Sequence, residues 1–372
     1  MSMNKSLAWV VLSIGVLASV KAEENPIILI SSNALTGPTS ALGIKLTQGA
    51  DVYFNKINTL GGIAKRQVKL RTLDDGYVPF QTVENTYKVI DTTDFLALFN
   101  YVGTPNSSAV HPIVTEHKIP FLMPFTGAEF LRTPVTSTTF NLRASYHQEA
   151  AAQVEYLITQ IKAKNIALLV QADKFGAEVE TGYLQAMSKH NLKPVVTTRF
   201  RRNTKDIELA LAIMIEHDVD AIAFVGTYSP FIALINQAYQ QDFNPFYSTV
   251  SFVSSHDLFA NVKVPARILV TEVVPDPREC MLAVCQEFRQ DIKPYKSIAA
   301  EQVVFEGYLN AKLFVEVAKL CQDSLTRACL IKELSKFESD FGGLKVKFTP
   351  DQHQGLNNIY FSLFDNKNTR LQ

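Results

Sequence analysis

The sequence has no stretch that announces catalysis. It contains no GxSxG elbow, no HExxH pair, no Walker A loop and no GxGxxG turn. Seven histidines are scattered along the chain. His111 and His117 stand six apart on an expected helix and cannot share a face as zinc ligands would. No reaction, cofactor or metal is therefore expected, and the chain reads as a non-enzyme. Charge of one sign is equally scarce: 36 Lys and Arg balance 36 Asp and Glu, with a net charge of zero. That balance excludes the basic stripe of a nucleic-acid binder and the polybasic patch of a membrane-surface protein. A small-molecule partner fits it better. Cysteine is sparse, and all four (Cys280, Cys285, Cys321, Cys329) fall in the last quarter of the chain. Their spacings match no zinc or redox motif.

Long apolar runs are missing too, except at the start. Lys5 precedes an uncharged apolar run from Leu7 to Val20, which ends in Val20-Lys21-Ala22. Such a run falls short of the ~20 residues that span a bilayer. With its small-x-small ending it predicts a signal peptide over 1–22, cleaved after Ala22. The mature chain is expected in the periplasm, nearly neutral and monomeric. In that oxidising compartment Cys321 and Cys329 are placed to link the end of one helix to the start of the next. Cys280 and Cys285 are expected to stay unpaired, because five residues within one helix separate too far for a bridge unless Cys280 precedes the helix.

What is present is an alternation of short apolar runs with longer helical patterns, made twice. In the first series come strands over 27–32, 68–73, 95–101 and 119–123, with helices over 42–57, 80–90 and 105–117 between them. The second series has strands over 166–171, 195–199, 221–225, 246–252 and 267–274, with helices over 175–189, 206–217 and 230–240. Three helices (277–290, 298–320, 326–337) and two β-like pieces (346–348, 359–364) close the chain. Strands read as unbroken hydrophobic runs when helices cover both faces of a parallel sheet. Two doubly wound α/β lobes are predicted.

Ligands bind open α/β sheets at the carboxyl ends of the strands, and hydroxyls and glycines recur there. One loop is Asn33-Ala34-Leu35-Thr36-Gly37-Pro38. Another is Tyr101-Val102-Gly103-Thr104-Pro105-Asn106, where Thr104 suits an N-cap and Pro105 the first helical position. The free amides of that helix start suit an anion. A third is Met123-Pro124-Phe125-Thr126-Gly127-Ala128. The second series offers aromatics at matching ends: Phe175, Tyr228 and Phe252. Polar caps facing aromatic walls suit a small amphiphilic solute.

These residues resemble a family, the leucine/isoleucine/valine-binding proteins of ABC transporters, type I periplasmic binding proteins. The resemblance rests on Leu35-Thr36-Gly37-Pro38, on Asn58-Thr59-Leu60-Gly61-Gly62, on Asp74-Asp75 and on Pro124-Phe125-Thr126-Gly127-Ala128-Glu129. It continues through Asn141-Leu142-Arg143-Ala144-Ser145-Tyr146, Phe305-Glu306-Gly307-Tyr308 and Phe341-Gly342-Gly343. It implies two lobes joined by a three-crossover hinge, the first over 24–142 and 273–343, the second over 143–272 and 344–372. It implies a solute carboxylate on Gly103, Thr104, Thr126 and Gly127, beside Tyr101, with aromatic walls near Phe175 and Tyr228. A membrane permease is the implied partner; a sensing subunit for a chemoreceptor or regulator is the alternative. One departure stands out. Where branched-chain amino-acid binders place a glutamate for the α-ammonium, this chain has Ser251, with Asp75 and Asp257 as the candidate acids to replace it from elsewhere.

Overall fold

The computed structural model describes residues 25–366, so the expected signal peptide lies outside the described residues. The first lobe is built on β1 (Ile27–Asn33), β2 (Val68–Asp74), β3 (Ala97–Phe99), β4 (Phe121–Leu122) and β5 (Thr139–Phe140). They form a parallel sheet in the order β2-β1-β3-β4-β5. Helices α1 (Ser40–Thr59), α2 (Pro79–Thr92) and α3 (Thr104–Glu116) connect them. β1, β2 and β3 each feed a helix that leads back to the next strand, the βαβ unit whose right-handed winding a twisted sheet favours, while β4 reaches β5 through a loop.

The second lobe begins with α4 (Tyr146–Tyr156), a helix the periodicity reading passes over. Its start is fixed by a capping box in which Ser145 and Gln148 satisfy each other's backbone. Then come β6 (Ile166–Gln171), α5 (Lys174–Lys189), β7 (Val196–Phe200), α6 (Glu208–Glu216), β8 (Ala221–Val225), α7 (Tyr228–Gln240) and β9 (Phe246–Thr249). After α8 (Ser255–Asn261) runs β10 (Arg267–Glu272). The chain re-enters the first lobe through α9 (Ala283–Ile292), α10 (Gln302–Leu320), α11 (Arg327–Leu334) and the small hairpin of β11 (Glu338–Asp340) and β12 (Lys345–Lys347). Finally β13 (Tyr360–Asp365) pairs antiparallel with β10 at the edge of the second sheet, ordered β13-β10-β9-β8-β6-β7. Val346, Phe348 and Leu356 pack into the first lobe's core, so of the stretch expected in the second lobe it is β13 that joins the second sheet.

Alternate residues of β6 divide between two cores. Leu168 and Val170 face one that continues across the interlobe boundary; Ala167 and Leu169 face the outer one. This is the period-two split of a strand covered on both sides. Helices α1 and α10 approach backbone to backbone in the first lobe. A Cβ on Gly49 would lie 1.9 Å from the Val304 carbonyl oxygen, and one on Gly307 2.1 Å from that of Leu46. Only glycine fits at such a crossing.

Both cysteine pairs are disulfides in this structure: Cys321 with Cys329, and Cys280 with Cys285. The second corrects the expectation of unpaired thiols. The helix begins at Ala283 rather than at 277, so Cys280 lies before it in a turn and its Cα comes within 5.9 Å of that of Cys285.

Candidate functional site

The strand ends of the two sheets face each other across the interlobe boundary. At the end of β3, Gly103 takes φ +101° and caps α3. A Cβ there would fall 2.3 Å from Cε2 of Tyr77, so glycine serves twice, by its conformation and by letting the tyrosine ring lie against the loop. Thr104 is the first residue of α3, not its cap, and its side chain makes no capping bond. Its hydroxyl instead meets that of Thr126 at 2.7 Å, with both residues fully buried. The loop after β4 turns at Gly127, whose carbonyl accepts from the Tyr146 amide at 2.7 Å. The Tyr146 phenol lies within hydrogen-bonding reach of the two threonine hydroxyls. Three hydroxyls thus converge where the anion end of a solute was expected.

Aromatic rings form the opposite wall. Phe252, on the turn after β9, has its centroid 4.9 Å from Phe175, 5.8 Å from Phe125 and 5.9 Å from Tyr77. Tyr146 lies 5.3 Å from Phe175. These rings come from both lobes, so they meet only when the lobes are closed.

Beneath the rings lies a buried polar layer that sequence reasoning missed. Arg143, 1% exposed, stacks its guanidinium 4.3 Å above the Phe125 ring and donates to the Ser251 hydroxyl. Glu306 lies 3.5 Å from its Nε. Ser251 in turn donates its amide (2.7 Å) and its hydroxyl (3.0 Å) to Glu149, which also accepts from Thr271 at 2.7 Å. Burial pushes the carboxyls of Glu149, Glu272 and Glu306 upward, to about 8 for Glu272 and about 7 for Glu306. On the far side Arg202 stacks 4.3 Å over the Tyr77 ring and donates to the Tyr77 carbonyl, while its Nε lies 3.2 Å from Asp173. A signal for part of this was present: Ser145-x-x-Gln148 is a capping-box pattern, and it would have placed Glu149 on the inner turn of α4.

Of the residues singled out from the sequence, Gly103, Thr104, Thr126, Gly127, Phe175 and Ser251 gather around this boundary. Tyr101 does not join them. It turns into the first lobe's outer core, its hydroxyl 3.1 Å from that of Thr86. Tyr228 packs against the outer core of the second lobe, on the sheet face opposite Phe175. The two acids named as replacements are engaged elsewhere. Asp75 accepts from Ser32, Thr82 and the Tyr77 amide, and Asp257 pairs with Lys45 at 2.5 Å.

A family model described as periplasmic binding protein matches residues 32–368. The chain belongs to the periplasmic binding protein family. An amino acid binding protein of Pseudomonas aeruginosa is 21% identical over 73% of this chain and 76% of its own length. A Leu/Ile/Val-binding protein of Rhizobium johnstonii is 24% identical over 53% of each chain, so this chain spans about half the length of that relative. Among solved structures, a possible leucine/isoleucine/valine-binding protein from Rhodopirellula baltica is similar with 29% identity and a TM-score of 0.87, covering 93% of this chain and 98% of that one. A substrate-binding periplasmic protein from Ralstonia solanacearum follows at 26% identity and a TM-score of 0.83, over 90% of this chain and 96% of that one. These relatives are binding proteins, not enzymes. As a member of this family, the binding protein described here presents its strand-end loops at the boundary between two lobes. Among the described residues no helix is long and apolar enough to cross a membrane.

Proposed function

We propose that this chain is the periplasmic substrate-binding component of an ABC-type transporter. In this reading it closes its two lobes on a small monocarboxylate or amide that lacks a free α-ammonium, and it delivers that solute to a membrane permease. Gly103, Thr104, Thr126, Gly127 and Tyr146 would receive the carboxylate or amide. Phe175, Phe125 and Tyr77 would hold the apolar part. The observation that carries the reading is the state of Ser251. It is neutral, accepts from Arg143 and donates to Glu149, so the place of the expected ammonium acceptor is taken up by a buried charge network. Glu149 already holds three donors, and Asp173 caps α5 and meets Arg202. An ammonium enclosed here would lose water without gaining a carboxylate, at a cost of roughly several kcal/mol. The relatives named for amino acids support the fold and the mode of binding, and the departure at Ser251 separates this chain from them in ligand. The buried phenols of Tyr77, beside Gln171, and of Tyr146, beside Thr104 and Thr126, add polar groups that support a polar solute head. Mass spectrometry of the solute retained through native purification tests the reading. A small carboxylate or amide without an α-amine is the expected mass, and a retained free amino acid would overturn it.

A further inference from the structure

The Phe252 ring stands where two aromatic walls from different lobes converge. It is fully buried and packs against Tyr77 and Phe125 of the first lobe and Phe175 of its own. The turn that presents it, Ser251–Val253, is followed by Ser254 at φ +63°, a left-handed conformation that serine adopts rarely. That turn is held by the Ser251 bonds to Glu149 and Arg143 and by the Ser254 hydroxyl capping the helix that follows.

Resting on the reading above, we infer that Phe252 occupies the protein's own apolar subsite and determines which solutes the cleft accepts. The benzyl group stands in for a ring-sized apolar moiety, with the Thr104 and Thr126 hydroxyls on the next surface of the same enclosure. A solute whose apolar part is of that size must turn the ring out to bind, and the work of doing so subtracts from its affinity. Solutes too small to replace the ring leave the packing of Tyr77, Phe125 and Phe175 incomplete and gain nothing from displacing it. The favoured class is therefore a monocarboxylate carrying an aromatic or similarly bulky apolar group.

Phe252→Ala tests this directly, because it opens a ring-sized space while leaving the hydroxyls in place. The probes are phenylacetate, which pairs a ring with a carboxylate, and benzylamine, which pairs the same ring with an ammonium. Calorimetric titration should show Phe252→Ala binding phenylacetate at least tenfold more tightly than the parent chain, with benzylamine giving no heat. Phe252→Trp, which keeps the subsite filled, should show no gain. Equal phenylacetate affinity in parent and Phe252→Ala, with circular dichroism showing both folded, would overturn the inference; so would an equal gain for benzylamine or for Phe252→Trp. Should the alanine variant fail to fold, Phe252→Leu carries the same test with a smaller expected gain, and no gain there overturns it equally. The proposed solute class is tested separately on the parent chain, so the inference can fail while that reading stands.

Discussion

Thr126 carries more than its place in a loop would suggest. Its hydroxyl meets Thr104 at 2.7 Å and accepts the Ala128 amide at 3.3 Å, so one atom orders both the loop and the face of the enclosure. A hydrogen bond from such a group to a carboxylate contributes about 1.5–3 kcal/mol, and its loss weakens binding about tenfold or more. Thr126→Ala should show that loss in titrations with the retained solute, beside a modest fall in melting temperature from the two buried bonds it removes. Unchanged affinity would place the carboxylate elsewhere. Thr126 and Thr104 were legible in the sequence because hydroxyls beside glycine and proline at strand ends have a local explanation. Arg143 and Tyr77 were not. Their roles depend on which lobe faces them, and no local pattern encodes a partner some hundred residues away, as Ser251 is for Arg143.

At the level of elements, the strands and most helices followed from periodicity, since buried strands read as apolar runs and amphipathic helices as three-to-four spacing. Helix α4 escaped because its inward face is not apolar throughout: Glu149 and Gln153 are buried there beside Ala150 and Val154. The Cys280–Cys285 bridge escaped for a related reason, the helix starting six residues later than expected, after the turn at 277–279. The lobe junction carries a consequence that can be measured. Burial raises the Glu272 carboxyl to about 8, well above the ~4.3 of an unfolded glutamate. Between those values the folded chain holds a proton that the unfolded chain releases, so stability falls as pH rises through that window. Glu272→Gln removes this contribution and keeps an acceptor for the Ser362 hydroxyl, which now lies 3.2 Å from Oε1. The variant should gain melting temperature over the parent at pH 8 and little at pH 5. An equal difference at both pH values would show that the carboxyl is ionised in the folded chain.

For the whole molecule, closure is made by contacts that neither lobe holds alone. Lys45 of α1 pairs with Asp257 of α8 at 2.5 Å and with Glu301, at the start of α10, at 2.9 Å, while His256 reaches Glu301 at 3.2 Å. Arg202 adds its bond to Tyr77 from the other side. Each cation keeps a carboxylate in its own lobe, Lys45 with Glu301 and Arg202 with Asp173, so opening leaves no charge stranded. The two-lobed plan was readable from the repeated strand–helix series and from the family's motifs; the closed packing was not, because it depends on residues of both lobes meeting. The central claim is that the enclosed solute carries no ammonium. Leucine and 4-methylpentanoate share a carbon skeleton and a carboxylate and differ in the ammonium alone. Calorimetric titration of the ligand-stripped protein with this pair should find 4-methylpentanoate bound at least tenfold more tightly than leucine; submicromolar binding of leucine, with the carboxylate weaker, would contradict it.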